Sequence, residues 1–308
     1  MRVLVVGYGS IGARHARILT ELGCKTSVVS SRAVDFPKVH RSLAAAFAEE
    51  NPDYVVIANP TVQHHSTLQE LARLSFSGVT LVEKPLFAMN EALPKPLGAK
   101  TFVAYNLRFH PLIQELRENL KNEKILSVQA YVGQYLPQWR PQTDYRQCYS
   151  AHRSQGGGVL RDLSHELDYL TWILGGWQQA TALGGHFSSL EINSDDIFSL
   201  MFTTAASPIV NLQMNYLDRH SRRFAIFNTD QRTIQVDLIQ GTLTIDQESR
   251  SFTVERDTSY RKMHESVLNG QFNRLCTLQE GLRTMALIEA AEQAASTKQW
   301  IRYSAREL

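Results

Sequence analysis

The sequence predicts an α/β protein: a doubly wound parallel sheet at the N-terminus, then an α+β domain whose sheet is mainly antiparallel. Three observations carry that expectation. Short, continuous apolar runs alternate with helical stretches as far as Tyr105. A glycine-rich turn, Gly7-Tyr8-Gly9-Ser10-Ile11-Gly12, joins the first of these runs to the first helix. Beyond about residue 120 the apolar side chains repeat at every second position instead.

Arg2 to Val6 is an apolar run of the kind that a strand buried on both faces gives. The helix after the glycines places Ile11, Ile18, Leu19 and Leu22 on one face, and Gly23 closes it. Further strands are expected at Thr26–Val29, Tyr54–Ala58, Val79–Val82 and Thr101–Tyr105, with helices at Leu43–Glu50 and Ser66–Leu74 between them. Pro94 and Pro96 mark the connection before the fifth strand. Strands and helices at this spacing form right-handed βαβ units. In the second half, Phe198/Leu200/Phe202, Val210/Leu212/Met214/Tyr216 and Ile234/Val236/Leu238 alternate with residues that are polar apart from Met201, so each strand has one buried face. A final helix, about Leu275 to Ala295, is expected to pack back across the domains, which divide as 1–115 and 116–308.

Composition narrows the function classes. The 308 residues are 43% apolar and 20% charged, with a net charge of +2, which gives no electrostatic case for nucleic acid or anionic lipid as partner. No apolar run reaches membrane-spanning length, and no leader pattern opens the sequence. Cys24, Cys148 and Cys276 are odd in number and far apart, so neither a disulfide framework nor a structural zinc site is expected, and a cytoplasmic location is. No metal is expected, since the ten histidines show no HExxH spacing.

The glycine motif gains specificity from its place between a strand and a helix. Glycines there let a pyrophosphate reach backbone N–H groups at the helix N-terminus, which makes a Rossmann-type dinucleotide site of Gly7, Gly9, Ser10, Ile11 and Gly12. After the second strand, Ser30-Ser31-Arg32 stand where an NAD site offers a carboxylate to the ribose. A guanidinium with two hydroxyls suits a 2′-phosphate, so NADP is expected ahead of NAD; the alternative is a surface Arg32 with NAD accepted as well.

Several motifs follow in order: Gly7 to Gly12 with His15, Ala58-Asn59-Pro60-Thr61-Val62-Gln63-His64, Glu83-Lys84-Pro85, Tyr105-Asn106-Leu107-Arg108-Phe109, and Gly156-Gly157-Gly158 leading to Asp162, His165 and Asp168. In this the chain resembles the glucose–fructose oxidoreductase / inositol dehydrogenase / MocA family over almost its whole length. The resemblance implies a catalytic Lys84, an acid–base pair in Asp162 and His165, and cofactor contacts from Asn59, Pro60, His64 and Glu83. It also implies substrate contacts from Tyr105, Asn106 and Arg108, and a homodimer. One departure stands out: His165 follows Asp162 by three positions where the family commonly has four, although both spacings share a helix face. Leu163 to Leu170, with Trp139-Arg140-Pro141 and Asp144-Tyr145-Arg146, is similar to a branch acting on nine-carbon acidic sugars and surface polysaccharides, which implies a sugar or sugar-nucleotide substrate.

From the residues themselves, His165 suits proton transfer near neutrality and Lys84 suits charge stabilisation at a strand's C-terminal end. Pro85 is expected to follow a cis peptide. Arg140, Arg146, Arg153 and Arg161 crowd a stretch with one acid, Asp144, and Arg140 and Arg146 are read as an anion clamp, with a solvated basic loop as the alternative. The leading expectation is an NADP-dependent sugar oxidoreductase. A cofactor-retaining lyase or glycosidase and a non-catalytic dinucleotide-binding regulator are the alternatives.

Overall fold

The computed structural model describes residues 1–89, 93 and 100–304; the connection with Pro94 and Pro96 lies outside the described residues. Two units divide the chain. The first comprises Met1–Phe109 and Asp257–Gly281, the second His110–Arg256 and Leu282 onward. The second half is therefore not one block, whereas the sequence reading assigned 116–308 wholly to the second domain. No local signal in Asp257–Gly281 announces that it returns to the first unit.

In the first unit, strands β1 (Arg2–Val6), β2 (Lys25–Val29), β3 (Val39–His40), β4 (Tyr54–Ile57), β5 (Val79–Val82), β6 (Thr101–Val103) and β15 (Cys276–Thr277) form one sheet. Its order is β15-β6-β5-β4-β1-β2-β3. All pairs are parallel except β15 with β6. The order reverses between β1 and β4, which is where doubly wound sheets open their ligand crevice. Helices α1 (Ser10–Glu21), α2 (Leu43–Glu50), α3 (His64–Arg73) and α7 (Thr258–Leu268) belong to the same unit. The apolar runs are buried along their whole length in β1, β4 and β5 apart from Arg2, as two-sided coverage requires. The two-residue β3 was missed, being too short to show any period.

The second unit contains α4 (Pro111–Asn119), β7 (Ile125–Gly133), α5 (Val159–Asp162), α6 (His165–Leu174), β8 (Trp177–Gly185), β9 (Ile197–Thr204), β10 (Val210–Asn215), β11 (Arg222–Thr229), β12 (Thr233–Asp237), β13 (Thr242–Ile245), β14 (Glu248–Ser251) and β16 (Ile301–Arg302). Helix α8 (Leu278–Thr297) begins with four residues grouped in the first unit and continues in the second. The nine strands run in the order β14-β13-β12-β11-β7-β10-β9-β8-β16. Every pair is antiparallel except β7 with β10. Phe198, Leu200 and Phe202 face the core with Val210, Leu212 and Met214, as the alternation requires. Among the described residues no helix is long and apolar enough to cross a membrane.

Candidate active site

Three strand ends are brought into line by the parallel register of the first sheet: Val6 pairs with Ile57, and Ile57 with Val82. The residues that follow each strand therefore leave from one edge. They are the glycine turn after β1, Asn59 after β4 and Lys84 after β5.

Each glycine in the turn does different work. A Cβ on Gly7 would lie 2.5 Å from the Asn59 amide nitrogen, and one on Gly12 would lie 2.1 Å from the Gly7 carbonyl oxygen. Both are excluded by the protein's own backbone. Around the Cβ position of Gly9 there is nothing within 4 Å. Open space at that point, at the N-cap of α1, is what a ligand approaching the backbone needs. No side chain caps α1, so its first amides remain available to an anion, whereas Ser42 caps α2 by accepting from the Ala45 amide. Asn59 adds a polar atom to the same edge: its Nδ2 donates to Thr67 Oγ1 at 2.8 Å, while its Oδ1 is buried and accepts no hydrogen bond within the protein. Ser10 and Pro60 are exposed and Ile11 half-buried, all on this rim. A dinucleotide fits these residues.

At the end of β2, Ser31 and Arg32 are exposed. The Ser30 hydroxyl is spent on the loop itself, donating to the Arg32 carbonyl. A second guanidinium not foreseen from the sequence, Arg41, donates to the Ser30 and Ser31 carbonyls at 3.3 and 3.1 Å. It enters through the β3 excursion, which was itself missed.

The Lys84 turn is clamped from both sides. The Lys84 amide donates to Glu83 Oε2 at 3.1 Å, and the Lys84–Pro85 peptide is cis, as expected. His64 is buried with Nδ1 3.0 Å from the Leu86 carbonyl and Nε2 3.1 Å from that of Asn59, linking two of the strand exits. Burial holds its pKa below the ordinary histidine value, against the raising effect of those carbonyls. Lys84 itself is half-buried.

Glu83 has a different task from the cofactor contact implied by the resemblance. Its carboxylate points inward and heads a buried chain: Glu83 Oε1 to His15 Nε2 at 2.8 Å, His15 Nδ1 to His264 Nε2 at 2.7 Å, and His264 Nδ1 to the Tyr54 hydroxyl at 3.0 Å. One ordering of protons satisfies all three contacts: Tyr54 donates to His264, His264 to His15, and His15 to Glu83. Burial, then the neighbouring His15, pushes the His264 pKa well down, and burial pushes that of Tyr54 well up, which suits this ordering. No sequence signal connects residues so far apart. Removing the middle of the chain leaves a carboxylate buried without its imidazole. His15→Ala should therefore cost about 3 kcal/mol of folding stability in denaturant titration, with His15→Gln recovering part of it; a loss below about 1 kcal/mol would contradict this role.

Tyr105, Asn106 and Arg108, for which the resemblance implies substrate contacts, are buried in this structure. Arg108 is 1% exposed and pairs with Glu280 at 3.1 Å, and Asn106 donates to Ser259 Oγ at 2.6 Å. These side chains anchor the returning Asp257–Gly281 segment onto the first unit. A guanidinium is costly to bury unless it is paired, and the pairing uses the group that substrate binding would need.

In the second unit, Asp162 and His165 do not share one helix. Asp162 ends α5 and His165 begins α6, with Leu163 and Ser164 between them, so no common helix face fixes the pair. Asp162 is buried and accepts from the Tyr216 hydroxyl at 2.6 Å, with the Tyr149 hydroxyl bonded to it as well. Burial and the adjacent carboxylate push both tyrosines well above their ordinary pKa, so both remain donors. Neither tyrosine was picked out from the sequence. The glycine triplet seats this segment: a Cβ on Gly158 would meet Asp195 Oδ1 at 2.2 Å, and Asp195 Oδ2 accepts from the Leu160 amide. Burial raises the Asp195 pKa to about 6. His165 is half-buried, and Asp168 is fully buried in the first turn of α6.

The basic stretch is mostly neutralised. Arg146 is paired within the protein, with Asp144 at 2.9 Å and Glu191 at 2.9 Å. Arg161 pairs with Glu292 at 2.6 Å, and Arg153 reaches the same carboxylate at 3.7 Å. Arg140 instead lines a cavity of about 60 Å³ with Leu136, Trp139, Tyr145, Cys148 and Tyr149. All three cysteines are free thiols. One group among the described residues has a spacing that a metal ion could use: His40, Glu49 and Glu50, where Lys38 Nζ already lies 2.5 Å from Glu50 Oε1.

Comparison with known proteins places this architecture. The GFO/IDH/MocA C-terminal domain matches residues 113–236, and the C-terminal alpha/beta domain of the oxidoreductase family matches residues 213–302. Together the two matches span more than half of the chain. No curated protein sequence matches. Among solved structures, levoglucosan dehydrogenase in complex with NADH and L-sorbose has a TM-score of 0.83 at 13% identity, covering 98% of both chains. GenD2 from gentamicin A biosynthesis, in complex with NAD, has a TM-score of 0.76 at 19% identity and covers 99% of this chain and 97% of its own. A myo-inositol dehydrogenase from Corynebacterium glutamicum has a TM-score of 0.76 at 17% identity, covering 99% of both. The chain belongs to the GFO/IDH/MocA family of oxidoreductases.

Proposed function

We propose that this protein is an NADP-preferring oxidoreductase that interconverts a secondary alcohol and a ketone on a sugar or sugar-derived substrate. The observation that carries the reading is the carboxyl edge of the first sheet, where the uncapped α1 N-terminus, the open space at Gly9 and the clamped Lys84 turn leave from register-matched strands. Bound at that edge, a nicotinamide dinucleotide would accept or supply the hydride. Gly7, Gly9, Ser10, Ile11 and Gly12 would hold its pyrophosphate, and Asn59 Oδ1 would accept a hydrogen bond from a hydroxyl or amide donor elsewhere on the dinucleotide. The sugar substrate class draws support from similarity to dehydrogenases of levoglucosan and myo-inositol.

Lys84 would stabilise the alkoxide by its positive charge in both directions of the reaction. In the second unit, His165 would take the hydroxyl proton and return it in the reducing direction. Asp162, fixed by two tyrosine hydroxyls, would act as a positioning carboxylate rather than as the base. Its Oδ2 already accepts from the Tyr216 hydroxyl, which favours an orienting part.

The preference for NADP rests on Ser31, Arg32 and Arg41, three groups without a carboxylate among them at the end of β2. Titration of the purified protein with NADPH and NADH, read by nicotinamide fluorescence, should show NADPH binding about tenfold or more tightly, because charge-assisted contacts to a phosphate are the strong ones. Arg41→Ala should bring the two affinities together. Equal affinities in the unaltered protein would overturn the preference, and no binding of either would overturn the whole reading.

A further inference from the structure

We infer that the cavity beside Asp162 is a subsite for an anionic substituent of the substrate, a carboxylate or phosphate monoester, with Arg140 as its partner. The inference deepens the proposed function and rests on it for the remainder of the ligand. Its support is a charge census confined to the second unit. Of four arginines in one stretch, Arg146, Arg153 and Arg161 are each paired with Asp144, Glu191 or Glu292. Arg140 has no carboxylate partner among the described residues, and it is the one that lines the cavity.

The walls suit such a group. None of the lining side chains carries a carboxylate, so nothing in the cavity competes for the guanidinium. Trp139, Tyr145 and Tyr149 wall the cavity with aromatic surface, beside which a charge-assisted hydrogen bond is stronger than in bulk water. The space, about 60 Å³, holds roughly four or five water-sized centres, the bulk of one carboxylate or phosphate group.

Its place relative to the candidate acid–base segment is also fixed. Tyr149 lines the cavity and hydrogen-bonds to Asp162. Trp139 packs edge-on against Tyr216, with ring centroids 5.2 Å apart, and Tyr216 donates to Asp162. An anion held by Arg140 is thus one side chain from Asp162, and it would orient a sugar ring by its charged end.

Trp139 supplies a reporter that needs no cofactor. Titration of the full-length protein with glucuronate, glucose 6-phosphate and glucose, followed by tryptophan fluorescence and calorimetry, separates the carboxylate, phosphate and neutral cases. A saturable response to at least one anion and none to glucose is expected. Arg140→Ala should weaken anion binding by about tenfold or more, Arg140→Lys should retain part of it, and Arg146→Ala should leave it unchanged. Binding that is equal for glucose, unaltered in Arg140→Ala, or absent for both anions would overturn the inference. Failure here with intact NADPH binding would leave the cofactor assignment standing; loss of NADPH binding alone would do the reverse.

Discussion

Replacing Lys84 with alanine is expected to lower kcat by about 10²- to 10³-fold while leaving NADPH affinity largely unchanged. The ammonium would act on charge that develops only during reaction, so its removal should fall on kcat and not on binding of the ground state. Lys84→Arg tests how closely the charge must be placed. A guanidinium retains the positive charge but is larger and planar, so this variant should recover part of the charge stabilisation and remain well below the natural enzyme. Stopped-flow single-turnover rates would read the chemical step directly. An alanine variant with unaltered single-turnover rate would remove Lys84 from catalysis and revive the regulator alternative. Because Glu83 and His64 hold the turn through backbone groups, the substitution should not disturb folding.

The second large effect is expected at Gly9, set against Gly12. Gly9 has φ −83° and ψ −169°, a conformation open to any residue, and nothing stands near its Cβ position. Gly9→Val should therefore fold with an almost unchanged Tm and lose about 100-fold or more in dinucleotide affinity, since the added carbons occupy the approach to the α1 amides. Gly12→Ala should behave in the opposite way. Its methyl group would lie 2.1 Å from the Gly7 carbonyl, so strain of several kcal/mol is expected in the folded state before any ligand arrives. Thermal unfolding and NADPH titration of the two variants distinguish a glycine kept for the ligand from one kept for packing. Full NADPH affinity in Gly9→Val would show that the dinucleotide does not pass this point.

Much of the site was legible because its residues act through local pattern. The glycine turn lies between a strand and a helix, and each assignment supports the other. Glu83-Lys84-Pro85 follows an apolar run that ends at Val82, so placing Lys84 at the sheet edge needs only the strand assignment. The readings that changed are those in which a charged or polar residue was assigned a role by type. Arg108 and Arg146 look alike in sequence to Arg140. One is buried against Glu280, another is clasped by Asp144 and Glu191, and the third faces a cavity.

By itself, the sequence determined the order and kind of the main elements of the first unit and the alternating strands β9, β10 and β12 of the second, because the spacing of apolar residues reflects which faces are buried, and this is a local property. It also determined the glycine cradle and the position of Lys84. Tertiary structure alone decided which ionisable groups are spent on one another. His15 meets His264 across 249 positions, and Arg108 meets Glu280 across 172. Such partners are chosen by the desolvation cost of burial, which no spacing rule records, and they leave Arg140 with its charge available.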